Sequence, residues 1–521
     1  MSLSSGIIDV ANADESLTAI ELLGRKIYRE GSDGSQNEIT TTLGVTDDSV
    51  SATTFTCANC HGLKGEGKQE GGLNVPTISP QHLFTNTPAK KAYDESTLIR
   101  AITKGINAQD KPLSAAMPRY GFTDYQAQAL VAYIKILGSS SDGDAGITAS
   151  EVQLGTVLPL TSTQAATGKL LKATLDACIA ESNRHGLIYG RKVTLTTLDS
   201  GGTKEEILAS TKRLIIETKP FALISGYFPE VTTDIYQLLQ NEKIPVIAPL
   251  SFIPNESSPP SPSFFYFLPS YADQSRALVD YWLAQMPKDN STAKPKLTIV
   301  YSDGLTNLNV VAAIREQVQR NNLNAPTEIV LSQANSKQDV NQLIKLKTAK
   351  PDAVFFLGNT QELKDFNLLM PKSDHQPILL GLLAMLGANV IATPDLAASK
   401  MLLATPFNLY APAMRQFAAL LNQHSVSLQS PGLQRIACSA VNFVTEGLKR
   451  SGKRLSRDKF IHALGEIKNY SVDIVPPFQF EPNNRKGAKG AYILTVDMKT
   501  HNLSPPSAWV IPSDDSLLRD F

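Results

Sequence analysis

Beyond residue 151 the chain alternates between two periodicities. Val152–Leu160, Lys192–Asp199, Phe221–Ser225 and Pro245–Pro249 are short apolar or β-branched runs that read as strands. Between them Gln164–His185, Lys204–Thr218 and Val231–Asn241 repeat apolar residues at helical spacing. A second series follows: helix 272–286, strand Lys296–Tyr301, helix 308–322, strand Thr327–Leu331, helix 337–348, strand Ala353–Leu357 and helix Gln361–Met370. Strands and helices in this order imply right-handed βαβ units and a parallel sheet covered on both faces. Residues 152–521 exceed one such sheet, so two α/β lobes are expected, about 152–270 and 271–380, with the chain crossing between them afterwards.

The first part of the chain has a different texture. Residues 1–138 carry helical patterns at 17–30 and 124–137, separated by long loops rich in Gly, Thr and Asn. Residues 139–151 are small and polar, the composition of a flexible linker. Lys plus Arg equals Asp plus Glu, at 49 each, which excludes a polyanion footprint and with it nucleic acid as an expected partner. No run reaches the roughly 18 uncharged apolar residues that span a bilayer. The nearest, Pro377–Pro394, is broken by Gly381, Gly387 and Asn389 and reads as a buried strand with its loop.

Cys57-Ala58-Asn59-Cys60-His61 carries the most specific chemistry. In C-x-x-C-H two thiols add to the two vinyl groups of one porphyrin, and the adjacent histidine then lies under the iron. The chain has four cysteines and seven histidines, and no second cluster near this one would complete a zinc tetrahedron. One covalent haem c is therefore expected, on Cys57, Cys60 and His61. A haem that only carries electrons needs a sixth ligand, commonly a methionine. Met117 is the sole methionine between the first residue and Met286, and it sits in a loop. The competing ligand is His82.

Gly24 and Tyr28 on helix 17–30, with Leu130 and Tyr133 on helix 124–137, complete a resemblance to class I cytochromes c over about residues 17–138. That resemblance implies an all-α cytochrome domain in which Pro76 supplies the carbonyl that orients the ligating imidazole. The long stretch between helix 17–30 and Cys57 departs from the family, which has a few residues there. Lys64, Lys68, Lys111 and Arg119 are candidates to ring the haem edge for a redox partner protein, with solvated surface cations as the favoured account.

An ordered series of short matches runs through the rest of the chain: Pro159-Leu160-Thr161, Tyr189-Gly190-Arg191-Lys192-Val193, Leu198-Asp199-Ser200, Phe221–Gly226, Ile244–Pro249 and Ala440-Val441-Asn442. Residues 152–521 thereby resemble periplasmic solute-binding proteins of the branched-chain amino acid receptor type, which serve ABC transporters. The resemblance implies two Rossmann-like lobes closing on a small molecule, and delivery to a membrane permease. Carried over by position, Thr161, Ser225, Gly226, Tyr227, Ser251, Tyr271 and Asn359 are the candidate ligand contacts. The loop that cradles an amino-acid carboxylate in the family reads Tyr227-Phe228-Pro229-Glu230 here, the family's aromatic falls near Thr306, and Leu380–Met385 lacks the expected acid. A zwitterion would leave unpaired charge in a closed cleft. The expected ligand is less charged than an α-amino acid and suits Tyr227, Phe252, Tyr271 and Met385.

Thr163–Lys169 ends like a phosphate loop but lacks its first glycine and is followed by Leu170. Cys178 and Cys438 lie in apolar helical patterns and read as buried thiols, with a bridge between them as the alternative. No nucleophile–base pair stands out, so an electron carrier with a ligand-binding module is expected rather than an enzyme. Both resemblances imply the periplasm, with Met-Ser-Leu standing where a leader has been removed. The alternatives are a transport or sensory receptor with an accessory haem, a subunit of a periplasmic oxidoreductase, and a docking role for lobes that have lost binding.

Overall fold

The structure is a computed structural model that describes residues 17–35, 37–43, 49–70, 73–139, 142, 145–148, 150–254, 261–286, 294–302, 304–331, 350–369, 376–393, 396, 398, 400–453, 455–481, 484–498, 500 and 502–513. The chain divides into two compact units, Met1–Asp144 and Ala145–Phe521.

In the first unit, helices Ala19–Glu30, Glu95–Lys104 and Asp124–Ile136 each begin with a capping box, set by Thr18 and Glu21, Asp94 and Thr97, and Thr123 and Gln126. Such boxes satisfy two of the backbone N–H groups that every helix start leaves without a partner. The first and last helices cross where Gly24 meets Ala129; a Cβ on Gly24 would lie 1.9 Å from the Ala129 carbonyl oxygen. Tyr28 and Tyr133 pack beside this crossing with ring centroids 5.5 Å apart, and both are fully buried. The stretch after the first helix is not a bare loop. Thr40–Thr42 forms the centre of a three-stranded antiparallel sheet, between Ser49–Ser51 and Arg119–Tyr120.

Among the described residues the second unit holds two sheets. The first runs Phe264–Phe265, Val246–Ile247, Ala222–Ile224, Glu151–Leu158, Lys192–Asp199, parallel throughout. The second runs Thr327–Leu331, Leu297–Ser302, Ala353–Leu357, Ile378–Leu382, Lys400–Thr405, Tyr492–Asp497, parallel except for its last strand. It therefore continues past residue 380, where the sequence pattern placed the end of the second lobe, because the Lys400–Thr405 run lies outside the regular strand–helix alternation. The expected helix 337–348 falls outside the described residues.

Helices Pro431–Arg450 and Arg457–Gly465 return to the first lobe, where Phe443 joins Phe265, Phe267, Phe478 and Phe480 in one aromatic core. Cys178 and Cys438, read from the sequence as buried thiols, are instead joined in a disulfide across 260 residues of chain. Their helices, Ala165–Arg184 and Pro431–Arg450, pack side by side, which the local pattern of neither reveals. Among the described residues no helix is long and apolar enough to cross a membrane.

Candidate functional site

Thr56 caps the short helix Cys57–His61 by accepting from the Asn59 amide. After that helix the chain turns through Gly65 and Gly67, both at positive φ, into the hairpin Lys68–Glu70 with Leu73–Val75. Hydrogen bonds from Gly67 N to His61 O (2.8 Å) and from Ile78 N to Gly65 O (2.8 Å) fold the segment back on the helix. Its end brings the Pro76 carbonyl oxygen to 3.0 Å from His61 Nδ1. That contact occupies Nδ1 and leaves Nε2 as the nitrogen available for a metal.

Burial pulls the His61 pKa below its usual value, against the opposing effect of the Pro76 carbonyl, so the ring is neutral and ready to donate. Burial also pushes the Cys57 thiol up to about 12. Tyr28 and Tyr120 are raised mainly by burial and stay protonated; Tyr28 donates to Gly62 O at 2.7 Å, and Tyr120 donates to Phe55 O.

A cavity of about 320 Å³ opens on Cys57, Cys60, His61 and Met117, and apolar side chains such as Leu98, Ile102, Leu130 and Ile134 line most of the rest. The donor set fits haem c: two thiols, an imidazole fixed by its second nitrogen, a thioether and an apolar sleeve. His82 lines the same cavity but is an exposed residue on the turn Pro80–Leu83, while Met117 packs against the cytochrome core. Lys64, Lys68 and Lys111 are exposed. Arg119 is a correction to the reading as a solvated cation: its guanidinium donates to the carbonyls of Leu113, Ser114 and Met117. Nothing in the sequence singles out that role, since the acceptors are main-chain groups.

Thr161, Ser225, Gly226, Tyr227, Ser251 and Tyr271 follow the carboxyl ends of the first sheet's strands, where ligands bind in open α/β sheets, whereas Asn359 follows strand Ala353–Leu357 of the second sheet. Thr161 donates to Asp199, and Ser251 closes a turn with Ile253, so both hydroxyls have partners within the lobe. Ser225 follows strand Ala222–Ile224 at φ +48°, fully buried, and its hydroxyl has no hydrogen-bond partner among the described residues. Gly226 and Tyr227 pair onward with Leu250 and Val157. Tyr271 opens the first helix after the crossing to the second lobe. Its ring stacks on Phe252 at 5.0 Å and 11°, and its amide donates to Phe252 O at 3.0 Å. Burial, and secondarily the nearby Tyr227 phenol, raise the Tyr271 pKa.

Asn359 stands apart from this group in function, because its side chain accepts from the Gln361 and Glu362 amides and so caps a helix start. Met385 packs against the core of the second lobe. Thr306 lies outside the described side chains. The segment Leu380–Met385 forms the end of strand Ile378–Leu382 and the turn after it, with no acid.

Comparison with known proteins places both units. The Cytochrome c family profile matches residues 51–138, and the Periplasmic binding protein profile matches residues 151–502. A curated relative, Leu/Ile/Val-binding protein homolog 3 from Brucella melitensis, is 22% identical over 230 residues, 44% of this chain and 58% of that protein. The chain thus spans a little over half the length of that relative. A fatty acid ABC transporter substrate-binding protein from Thermomonospora curvata superposes with TM-score 0.54 at 18% identity, over 71% of this chain and 95% of that one. A type 1 periplasmic binding protein from Bordetella pertussis gives 0.55 at 15% identity, over 69% and 100%. These likenesses establish the two-lobed fold. The chain belongs to the periplasmic binding protein family and carries a cytochrome c domain ahead of the binding lobes, which implies haem c in the first unit.

Proposed function

We propose that this protein is a periplasmic electron carrier with a fused small-molecule-binding module. One covalent haem c is held by Cys57, Cys60, His61 and Met117. The observation that carries this reading is the gathering of those four donors on one apolar cavity, with the His61 ring fixed by Pro76. Haem supplies a one-electron couple when bound. The chain's own residues hold the imidazole neutral and oriented, exclude water with an apolar sleeve, and supply a thioether that favours a high potential. With His61 and Met117 both given to the haem, the site would pass electrons to a partner protein and would keep no place for a substrate.

The disulfide Cys178–Cys438 supports the compartment, since such bonds persist where the surroundings oxidise. The binding module serves a ligand other than an ordinary α-amino acid, with Ser225 offering a hydroxyl and Tyr227, Phe252 and Tyr271 offering aromatic faces. Delivery of that ligand to a membrane permease is the second reading, favoured by the family of the lobes.

Intact mass, native and then denatured, tests the proposal on protein from a host able to attach haem. The expected result is one haem increment that survives denaturation, with an added small mass that does not. No haem mass in fully matured protein would end the electron-carrier reading.

A further inference from the structure

Met117 packs against the cytochrome core from a loop whose own bonds are few: Met117 N donates to Ser114 O at 3.1 Å and Ala116 N to Ser114 Oγ at 3.2 Å. Ser114, Ala115 and Ala116 are exposed, and none of them reaches the core. Further contacts fix the loop from either side. On one side, the Arg119 guanidinium donates to Met117 O, to Ser114 O at 3.2 Å and to Leu113 O at 3.4 Å, closing the loop around a single cation. The guanidinium rests on Gly105, the residue that ends helix Glu95–Lys104; a Cβ there would lie 1.9 Å from Arg119 Nε. On the other side, the main chain of Arg119–Tyr120 is paired with Thr40–Thr42, in the register Thr41 to Tyr120 and Thr42 to Arg119. Gly121 N donates to Thr40 O at 2.9 Å, and Thr41 Oγ1, fully buried, donates to Arg119 O at 3.0 Å.

The pairing strand is itself anchored. Ile39 and Ala52 are buried in the cytochrome core, and Ala52 N donates to Ile39 O at 2.8 Å. A Cβ on Gly31, at φ +68° where the first helix ends, would lie 2.2 Å from Ala52 O. A chain of contacts therefore runs from the end of the first helix, through the inserted sheet, to Arg119 and Tyr120, which follow Met117 and Pro118 in sequence.

We propose that strand Thr40–Thr42 and its partner Ser49–Ser51, between the first helix and the haem motif, are a clamp on the Met117 loop. Arg119 and Thr41 are its positioning residues, and their task is to keep the thioether seated against displacement. The inference rests on the reading of Met117 as an axial ligand. Its energetic basis is that charge-assisted hydrogen bonds are the strong ones, and three carbonyls share this cation.

The test uses the full-length haem-loaded protein and imidazole, which competes with the thioether for the iron. Four variants are compared with the native chain: Met117→Leu, Arg119→Gln, Arg119→Lys and Thr41→Val. Helix content by circular dichroism confirms that each is folded. Arg119→Gln should bind imidazole about tenfold or more tightly, because loop opening limits access. It should also weaken the red absorption band of a methionine-ligated ferric haem. Arg119→Lys should fall between native and Arg119→Gln, and Thr41→Val should move the same way by less. If Met117→Leu changes spectrum, potential and imidazole affinity while both Arg119→Gln and Thr41→Val behave as native, the clamp alone is refuted. If Met117→Leu itself changes nothing, the ligand assignment fails and the clamp fails with it.

Discussion

The carbonyl oxygen of Pro76 lies 3.0 Å from Nδ1 of His61, fifteen residues away along the chain. A backbone acceptor cannot be removed by substitution, but the turn that delivers it can be disturbed. A Cβ on Gly67, which sits at φ +73°, would come within 2.5 Å of Val75 O. Gly67→Ala should therefore push the Val75–Pro76 segment off the imidazole and cost about 1–3 kcal/mol through backbone strain and the lost contact. Thermal unfolding of the haem-loaded protein checks the cost, and a potential that differs from native shows that the loss reaches the imidazole.

Asp142 gives the first unit a pH dependence of defined sign. It is buried, accepts from Gly138 N at 2.7 Å, and contacts Tyr133 and the Arg29 guanidinium. Burial raises its pKa above the usual value, more than its donors and Arg29 lower it. A carboxyl raised on folding contributes stability that is fully present below its unfolded value of 3.8 and is lost as pH rises through the folded value. From that side the unit should become more stable on acidification from neutrality towards the ordinary carboxylate range. Asp142→Asn should flatten this slope in denaturant midpoints measured against pH; an unchanged slope would assign it to other groups.

The bridge between Cys178 and Cys438 closes a very long loop, so its loss should destabilise the binding unit strongly. Loop-closure entropy sets an upper figure of about 5.6 kcal/mol for replacing both cysteines by alanine. Denatured haem-loaded protein should show no alkylatable thiol without reductant and two with it, since Cys57 and Cys60 would be thioethers.

Ser225 combines a left-handed backbone with a buried hydroxyl that has no partner among the described residues. Ser225→Ala keeps the backbone cost and removes the unsatisfied group, so the ligand-free protein should gain about 1 kcal/mol. If the hydroxyl serves a ligand, the same variant should lose part of the rise in Tm that the co-purified ligand produces. Leucine, isoleucine and valine should produce no rise in either form.

The sequence by itself determined whatever depends on neighbours along the chain. The spacing of Cys57, Cys60 and His61 needs one helical turn. The alternation after residue 151 declared parallel lobes because periods of two and 3.6 follow from backbone geometry alone. Tertiary structure decided the rest, where partners are distant or are main-chain atoms without a residue signature. The joining of Cys178 to Cys438 required two helices to pack side by side. The conversion of a long loop into a strand beside Arg119 required hydrogen bonds that any residue could make. Asp142, in a stretch whose composition reads as a linker, is buried against Tyr133 because the last helix presents a phenol and the first an arginine at one place. Local pattern fixes an element; which side chain it meets depends on chain paths that close only in three dimensions.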